Sequence, residues 1–400
     1  MNACSAAPQD DSDTSEDDVK TNPKLAQMND VSILLPLAKS QDELDAYLAP
    51  TTNGVGGELL SEKIFDLATG QKPGGDPPGG VGSTQPIQYK DLRAVAFRID
   101  PCFANIGPVT DASKCLNQLR IIFQPLTFAS KATTAEDGAV HVFYSLTRTE
   151  LTTLLEDVIA IRQENGGTKD LGALNVHPII ASQGLTGNMW KSLSEDLLKF
   201  AGQGNLIRFT EFQQSNLDTV WNFNGFDIAS GKTTKMVIPT LPSKGTNDEF
   251  FIGFGADFAG GFTPSTNAKD DMQVLGNTQN AEKASKSDQQ AAFDAALRIQ
   301  NPNFHSPNTI DCASCHMANP AQVMTGAKLG ITADGNANAF TIDTKLVKAT
   351  DMKQKTKVDL SDGLNLHMFS YKDSHAMIGM RVINESGSVV AYVNQNVVTK

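Results

Sequence analysis

The chain has no apolar run approaching 18 residues, so no segment reads as a membrane-spanning helix. The longest candidate, Val31 to Ala38, is broken by Ser32 and Pro36. Cationic excess is missing as well. Lys and Arg total 33 against 45 Asp and Glu, a net charge of −12, which argues against a nucleic-acid binder that neutralises phosphates. With 32 Gly and 18 Pro in 400 residues, collagen-like and bulk low-complexity chains are excluded. No H-E-x-x-H or G-x-S-x-G occurs. Gly231-Lys232-Thr233 invites a phosphate-loop reading, but Phe226 stands where that loop needs glycine. Gly54-Val55-Gly56-Gly57 lacks the preceding strand and the spacing of a dinucleotide fingerprint. What remains is 40% apolar and 20% charged, an ordinary globular composition. The length suits one large or two ordinary domains and can bury a substantial core.

Cysteine is scarce, with five in all: Cys4, Cys102, Cys115, Cys312 and Cys315. Cys312-Ala313-Ser314-Cys315-His316 reads C-x-x-C-H, the attachment signature of c-type haem, expected by chance roughly once in a thousand such chains. The chemistry explains the spacing. Two thiols add to the haem vinyl groups and the adjacent imidazole ligates iron. Positions i, i+3 and i+4 share one face of a helical turn. Asp311 is a candidate N-cap, and Pro320 disfavours helix at Asn319, which predicts a helix of about two turns from Cys312. Two other readings of C-x-x-C exist. A thioredoxin-like pair wants a preceding buried strand, and Ser306 to Asp311 is not one. Structural zinc wants two further ligands at paired spacing, and there is no second C-x-x-C.

Cys102 and Cys115 lie 13 residues apart between two strand-like segments, Leu92–Ile99 and Leu119–Phe123. A disulfide closing that loop would add about 3 kcal/mol. Two free core cysteines are the alternative, and haem attachment favours the disulfide by placing the chain in an oxidising compartment. Cys4 is left over. A small residue precedes it, and an acidic, Ser/Thr-rich, aromatic-free stretch follows, as at the start of a bacterial lipoprotein. Lipidation there would remove residues 1–3. The hydrophobic part of a signal peptide is absent ahead of it, which reads as a truncated or re-started chain. An unpaired terminal thiol is the bland alternative.

The expected organisation is α+β: a β-rich body with several amphipathic helices and a C-terminal haem-binding segment. Residues 1–22 read as a disordered acidic tether, six acids against one base, holding five of the twelve net negative charges. Residues 23–280 form the body, with a Pro/Gly linker-like loop at 70–83. Candidate helices are Gln41–Ala49 and Glu58–Thr69. A third follows the capping box of Thr147 and Glu150, and a fourth carries Trp190, Leu193 and Leu197. Beyond Leu92–Ile99 and Leu119–Phe123, strands are expected at Val140–Leu146, Leu206–Phe212, Val220–Ile228, Lys235–Ile238 and Phe250–Phe254. There is no internal repeat and no regular βαβ alternation. Residues 281–400 form a haem c-binding region packed on the body. It comprises a helix through Ala292 to Ile299, the haem segment, strand-like Leu364–Tyr371 and Met377–Ile383, and an apolar tail Val389–Val398.

His316 is the proximal iron ligand if haem is present. The distal side decides the chemistry, since an open iron binds small ligands and a closed one passes electrons. His305 is the preferred distal ligand. It lies seven residues before Cys312, an extended reach of roughly 23 Å that can wrap a haem edge. This resembles tetrahaem c3-type cytochromes, which draw a distal His from just upstream of the motif. His367 and His375 are further candidates, though both could flank a hairpin. In small class I cytochromes the ligand is a downstream Met. Met368, Met377 or Met380 would fit that resemblance, but the strand-like surroundings do not. Met324 is also a candidate, and Met317, adjacent to His316, cannot reach across the porphyrin. His141, in a strand, and His177, before Pro178, read as structural.

Several stretches resemble a group of uncharacterised lipoproteins predicted from myxobacterial and related genomes: Asn29 to Leu37, Leu92 to Cys102, Asn301 to His316 and Arg381 to Val393. The resemblance covers most of residues 29–395 and brings no activity with it. The leading expectation is an exported monohaem c-type cytochrome with one covalently attached haem c, transferring single electrons to a redox partner protein. It would be held in the periplasm, at the outer membrane or at the cell surface of a Gram-negative bacterium by a lipid on Cys4. It would act as an electron carrier more than as a catalyst, with no nucleic-acid partner. A haem enzyme or sensor with an open distal site for peroxide, oxygen or NO is the second reading. A surface-binding lipoprotein with structural haem is the third.

Overall fold

A computed structural model describes residues 25–69, 87–103, 116–214, 220–236, 249–252, 268–276, 278–306, 309–342, 346–353 and 366–398. The tether with Cys4, the 70–83 loop and Cys115 lie outside the described residues, and only the backbone of Cys102 is described. The expected disulfide therefore falls outside them.

The chain is an α+β protein. Nine strands among the described residues join in one antiparallel sheet. They are β1 (Ser32–Leu34), β2 (Leu92–Phe103), β3 (Leu116–Ala129), β4 (Ala132–Ala135), β5 (Gly138–Leu146), β6 (Leu206–Gln214), β7 (Val220–Ala229), β8 (Lys232–Lys235) and β9 (Glu249–Ile252). Their order is β1-β2-β3-β5-β6-β7-β8, with β4 beside β3 and β9 beside β7. Gly231-Lys232-Thr233 runs from a hairpin turn into β8: Ser230 and Gly231 sit at φ 51° and 71°, a left-handed pair that suits a tight two-residue turn.

Because side chains alternate across a strand, the register assigns each residue a face. Phe97, Ile121, Val142 and Phe209 lie opposite one another on successive strands, and all are buried. This apolar face packs on α1 (Arg148–Glu164) and α2 (Asn188–Leu197), with the Phe97 and Trp190 rings 5.6 Å apart. The α1 capping box forms as the sequence predicts: Thr147 Oγ1 accepts from the Glu150 amide, and Glu150 Oε2 accepts from the Thr147 amide at 2.7 Å. The other face carries Arg98, Arg120, Phe143 and Arg208 in one row, and Ile122, His141 and Thr210 in the next.

The C-terminal part covers that second face. It contains α3 (Lys286–Ile299), α4 (Cys312–Leu329), the hairpin of β10 (Phe369–Lys372) and β11 (His375–Ile378), and α5 (Met380–Asn396). Two expectations need correction. The Met377–Ile383 stretch is not one strand: β11 ends at Ile378, and Met380 opens a 17-residue helix that absorbs most of the apolar tail. Its valines and isoleucine favour a strand locally. Val382, Ile383, Ser386, Val390 and Val393 nonetheless fall on one helical stripe, and burying that stripe decides the conformation. Helix α4 runs 18 residues through Pro320, not two turns. The proline removes only the bond that would reach the His316 carbonyl, and the helix continues past that gap. Among the described residues no helix is long and apolar enough to cross a membrane.

The N-terminal segment is fixed to α1 by a buried ion pair. Arg162 Nε lies 2.9 Å from Asp30 Oδ1, both side chains fully buried, and the guanidinium also donates to the Gly167 and Leu25 carbonyls. Burial pushes the Asp30 carboxyl up to about 6 against the opposing pull of Arg162. Removing one partner strands a buried charge. Arg162→Ala should therefore lower the unfolding free energy by about 3–5 kcal/mol, read as a drop in the urea midpoint at pH 7.

Candidate functional site

The sheet's second face and the C-terminal helices enclose a half-open pocket with about 740 Å³ of empty space, mouth included. Helix α4 supplies its chemistry. Asp311 is buried and caps the helix, Oδ1 accepting from the Ser314 amide at 2.7 Å while its carbonyl accepts from the Cys315 amide. Burial pushes this carboxyl up to about 6 against that hydrogen bond. The cap sets the first turn so that Cys312, Cys315 and His316 all line the pocket, each half-buried. Neither thiol is in a disulfide, and burial pushes the Cys315 thiol up, keeping it protonated.

His316 is oriented from behind. Its Nδ1 lies 2.6 Å from the Leu366 carbonyl, which can only accept, so Nδ1 carries the proton and Nε2 keeps its lone pair. Phe212 and Phe223 pack on the ring with centroids 5.1 and 5.4 Å away, and the His141 ring lies 6.3 Å away. Burial lowers His316 to about 4 and holds His141 well below its ordinary value, so both are neutral near pH 7.

The wall beside Cys315 is charged. Arg98 pairs with Glu385 at 2.8 Å and Asp100 at 3.4 Å, Arg120 with Asp100 at 2.9 Å, and Arg381 with Glu385 at 2.5 Å. Arg120 also stacks on Phe143, 4.7 Å from the ring centre. Burial alone would push Glu385 up, but the guanidiniums of Arg381, Arg98 and Arg120 outweigh it and hold the carboxyl at about 2. Three guanidiniums thus face two carboxylates, an excess of one buried positive charge. Ile122, Met236, Ile310, Phe369 and Val382 supply an apolar lining.

These features fit haem c. Two unbridged thiols and a neutral imidazole with a free Nε2 share one helical turn, the lining is apolar, and the surplus of positive charge suits propionates. Cys312 and Cys315 would carry the thioethers and His316 the iron, with Arg98, Arg120 and Arg381 beside the carboxylates. A structural zinc needs three or four protein ligands. Among the described residues no group of three or more His, Cys, Asp or Glu stands together to hold a metal ion.

The other expected ligands are placed elsewhere. His305 lies outside the pocket lining: its Nδ1 is 3.2 Å from Thr309 Oγ1 and its Nε2 3.4 Å from Asp270 Oδ2. His367 has both nitrogens engaged, Nε2 with Asp137 Oδ1 at 2.8 Å and Nδ1 with Ser370 Oγ at 2.7 Å. His375 is exposed on β11. Of the methionines, Met368 lines the pocket, Met377 is buried outside its lining, and the Met324 side chain is outside the described residues. His141, expected to be structural in its strand, lines this pocket, and the arginine wall carries no sequence signal. Strand alternation already puts His141 and Phe143 on one face, but nothing local says what covers that face.

Asp311→Ala should cost about 1 kcal/mol in a denaturant titration and Asp311→Asn much less, since Asn caps equally well. Below His316, Glu211 is buried and accepts from Gln213 Nε2 at 3.0 Å and Asn224 Nδ2 at 3.2 Å, yet burial raises it to about 7. The unfolded chain releases this proton near 4.5 and the folded chain near 7. Its contribution to stability is therefore full below pH 4.5 and is lost as pH rises through 7. Wild type should lose melting temperature over that interval, and Glu211→Gln should flatten the loss. Comparison with protein families, with curated proteins and with solved structures returns no match.

Proposed function

We propose that the protein is an exported monohaem c-type cytochrome that transfers single electrons, held at a membrane by a lipid on Cys4. The observation that carries this is the pair of thiols outside any disulfide beside a His316 whose Nδ1 is already bonded and whose Nε2 is free, all on one helical turn at the pocket. When bound, the haem supplies a one-electron iron couple. The chain's part is to hold and tune it. The Leu366 carbonyl fixes the His316 tautomer and strengthens the imidazole as a donor. Phe212 and Phe223 exclude water from its ring. The arginine wall favours the electron-poor state least and anionic groups most, because its net charge is positive and buried. Export follows from the attachment chemistry, which belongs to oxidising compartments. The acidic tether and Cys4 support the lipid anchor from sequence alone.

The test is production with a haem-c maturation system. The expected result is one haem per chain, retained through denaturing electrophoresis and visible in intact mass, and lost in the Cys312→Ala, Cys315→Ala double variant. Wild-type protein carrying no covalent haem would sink the reading. With haem in place, a spectroelectrochemical titration should follow a one-electron curve.

A further inference from the structure

The distal side of the pocket is built by the sheet. His141 sits in the middle of β5, between Ile122 on β3 and Thr210 on β6, on the face that lines the pocket. Its ring is only half-buried, and it forms no hydrogen bond among the described residues. With no group among those residues bonded to it, the imidazole is available to a ligand in the pocket. Of the histidines in the C-terminal part besides His316, His305 and His367 are engaged at both nitrogens and His375 is exposed on a hairpin. His177 caps a helix through Nδ1, which accepts from the Ile180 amide.

The spacing of the two rings matters. Two imidazoles on opposite sides of one metal ion, with metal–nitrogen bonds of about 2 Å, have ring centres roughly 6 Å apart. The His141 and His316 centroids are 6.3 Å apart, with planes inclined at 37°. The alternative sulfur donors are less well placed. Met368 has its terminal methyl lodged against the backbone at Gly379, where an added Cβ would meet it at 3.1 Å, and its carbonyl accepts from the Gly379 amide. Met236 lines the pocket but is buried with its amide bonded to Gly225.

Resting on the haem reading above, we infer that His141 is the second protein ligand of the iron, so that the metal is held between α4 and the central sheet by two imidazoles. The site is then closed to small ligands, which favours electron transfer over oxygen, peroxide or NO chemistry. It also makes the sheet part of the cofactor site, giving the body that precedes the C-x-x-C-H segment a defined role.

The test uses the haem-loaded full chain. Wild type is expected to show a low-spin spectrum in both oxidation states and to refuse CO at neutral pH. His141→Ala should keep one covalent haem per chain, turn high-spin and bind CO promptly, and added imidazole should restore the low-spin spectrum. His141→Met should stay low-spin with a raised potential. His305→Ala and His367→Ala should leave the spectrum unchanged, and Met236→Ala should stay low-spin. Prompt CO binding by wild type, or a His141→Ala protein that keeps the wild-type low-spin spectrum, would overturn the assignment while the haem reading stands. If His141→Ala yields no folded protein, the wild-type CO experiment and His141→Met decide the matter. Wild type without covalent haem would remove both claims together.

Discussion

The Arg98–Glu385 ion pair joins two parts of the chain that lie far apart in sequence. Arg98 stands in the middle of the second strand of the sheet, and Glu385 stands in the C-terminal helix 287 residues later. Neither charge can be left in the interior alone, so the helix must dock where the sheet presents its guanidiniums. Asp100, Arg120 and Arg381 complete the cluster, and each further constrains position. The cost of burying five charged groups is offset only if all are in place, which makes the docking all-or-none. The pocket exists because of this arrangement. Charged side chains hold sheet and helix together along one edge and keep them apart by their own bulk, leaving space that smaller apolar residues do not fill.

The two faces of the sheet therefore do different work. One is an apolar row, Phe97 to Phe209, that packs on amphipathic helices. The other is a charged and aromatic row that cannot be covered by an ordinary apolar helix. Helix α4 meets it with Cys312, Cys315 and His316, and α5 meets it with Arg381 and Glu385. The pocket and its thiols and imidazole fall on the face that gives up close packing. The buried Glu211 adds a polar group beneath the site, held by two amides and by no cation.

Much of this was legible in the residues. The capping box of Thr147 and Glu150, the N-cap at Asp311 and the strands around Ile121 and Val142 are set by local chemistry and short-range alternation, and they form where the sequence indicates. The C-x-x-C-H turn is equally local. What the sequence hid is non-local. His141 looks like any polar residue in a half-buried strand until α4 is laid across it. Arg98, Arg120 and Arg381 look like solvated surface charges until they are found facing one another. Helix α5 was obscured for a different reason. Its β-branched residues carry a strand preference, and its helical stripe emerges only over a window longer than the hairpin that precedes it. Pro320 misled in the opposite sense, because a proline inside a helix costs one hydrogen bond and does not forbid the next turn.

The two ends of the described chain are clasped. Asn394 exchanges two hydrogen bonds with the backbone of Ala26, and Ser32 meets Ser386 with their hydroxyl oxygens 2.7 Å apart. The edge strand β1 and helix α5 thus finish one another, although more than 350 residues separate the paired positions. This sets an order on biogenesis. During synthesis the sheet can assemble from its consecutive hairpins, but its charged face stays bare until residues 380–396 have been made. For that period the nascent protein exposes an arginine-lined surface that only α5 can cover.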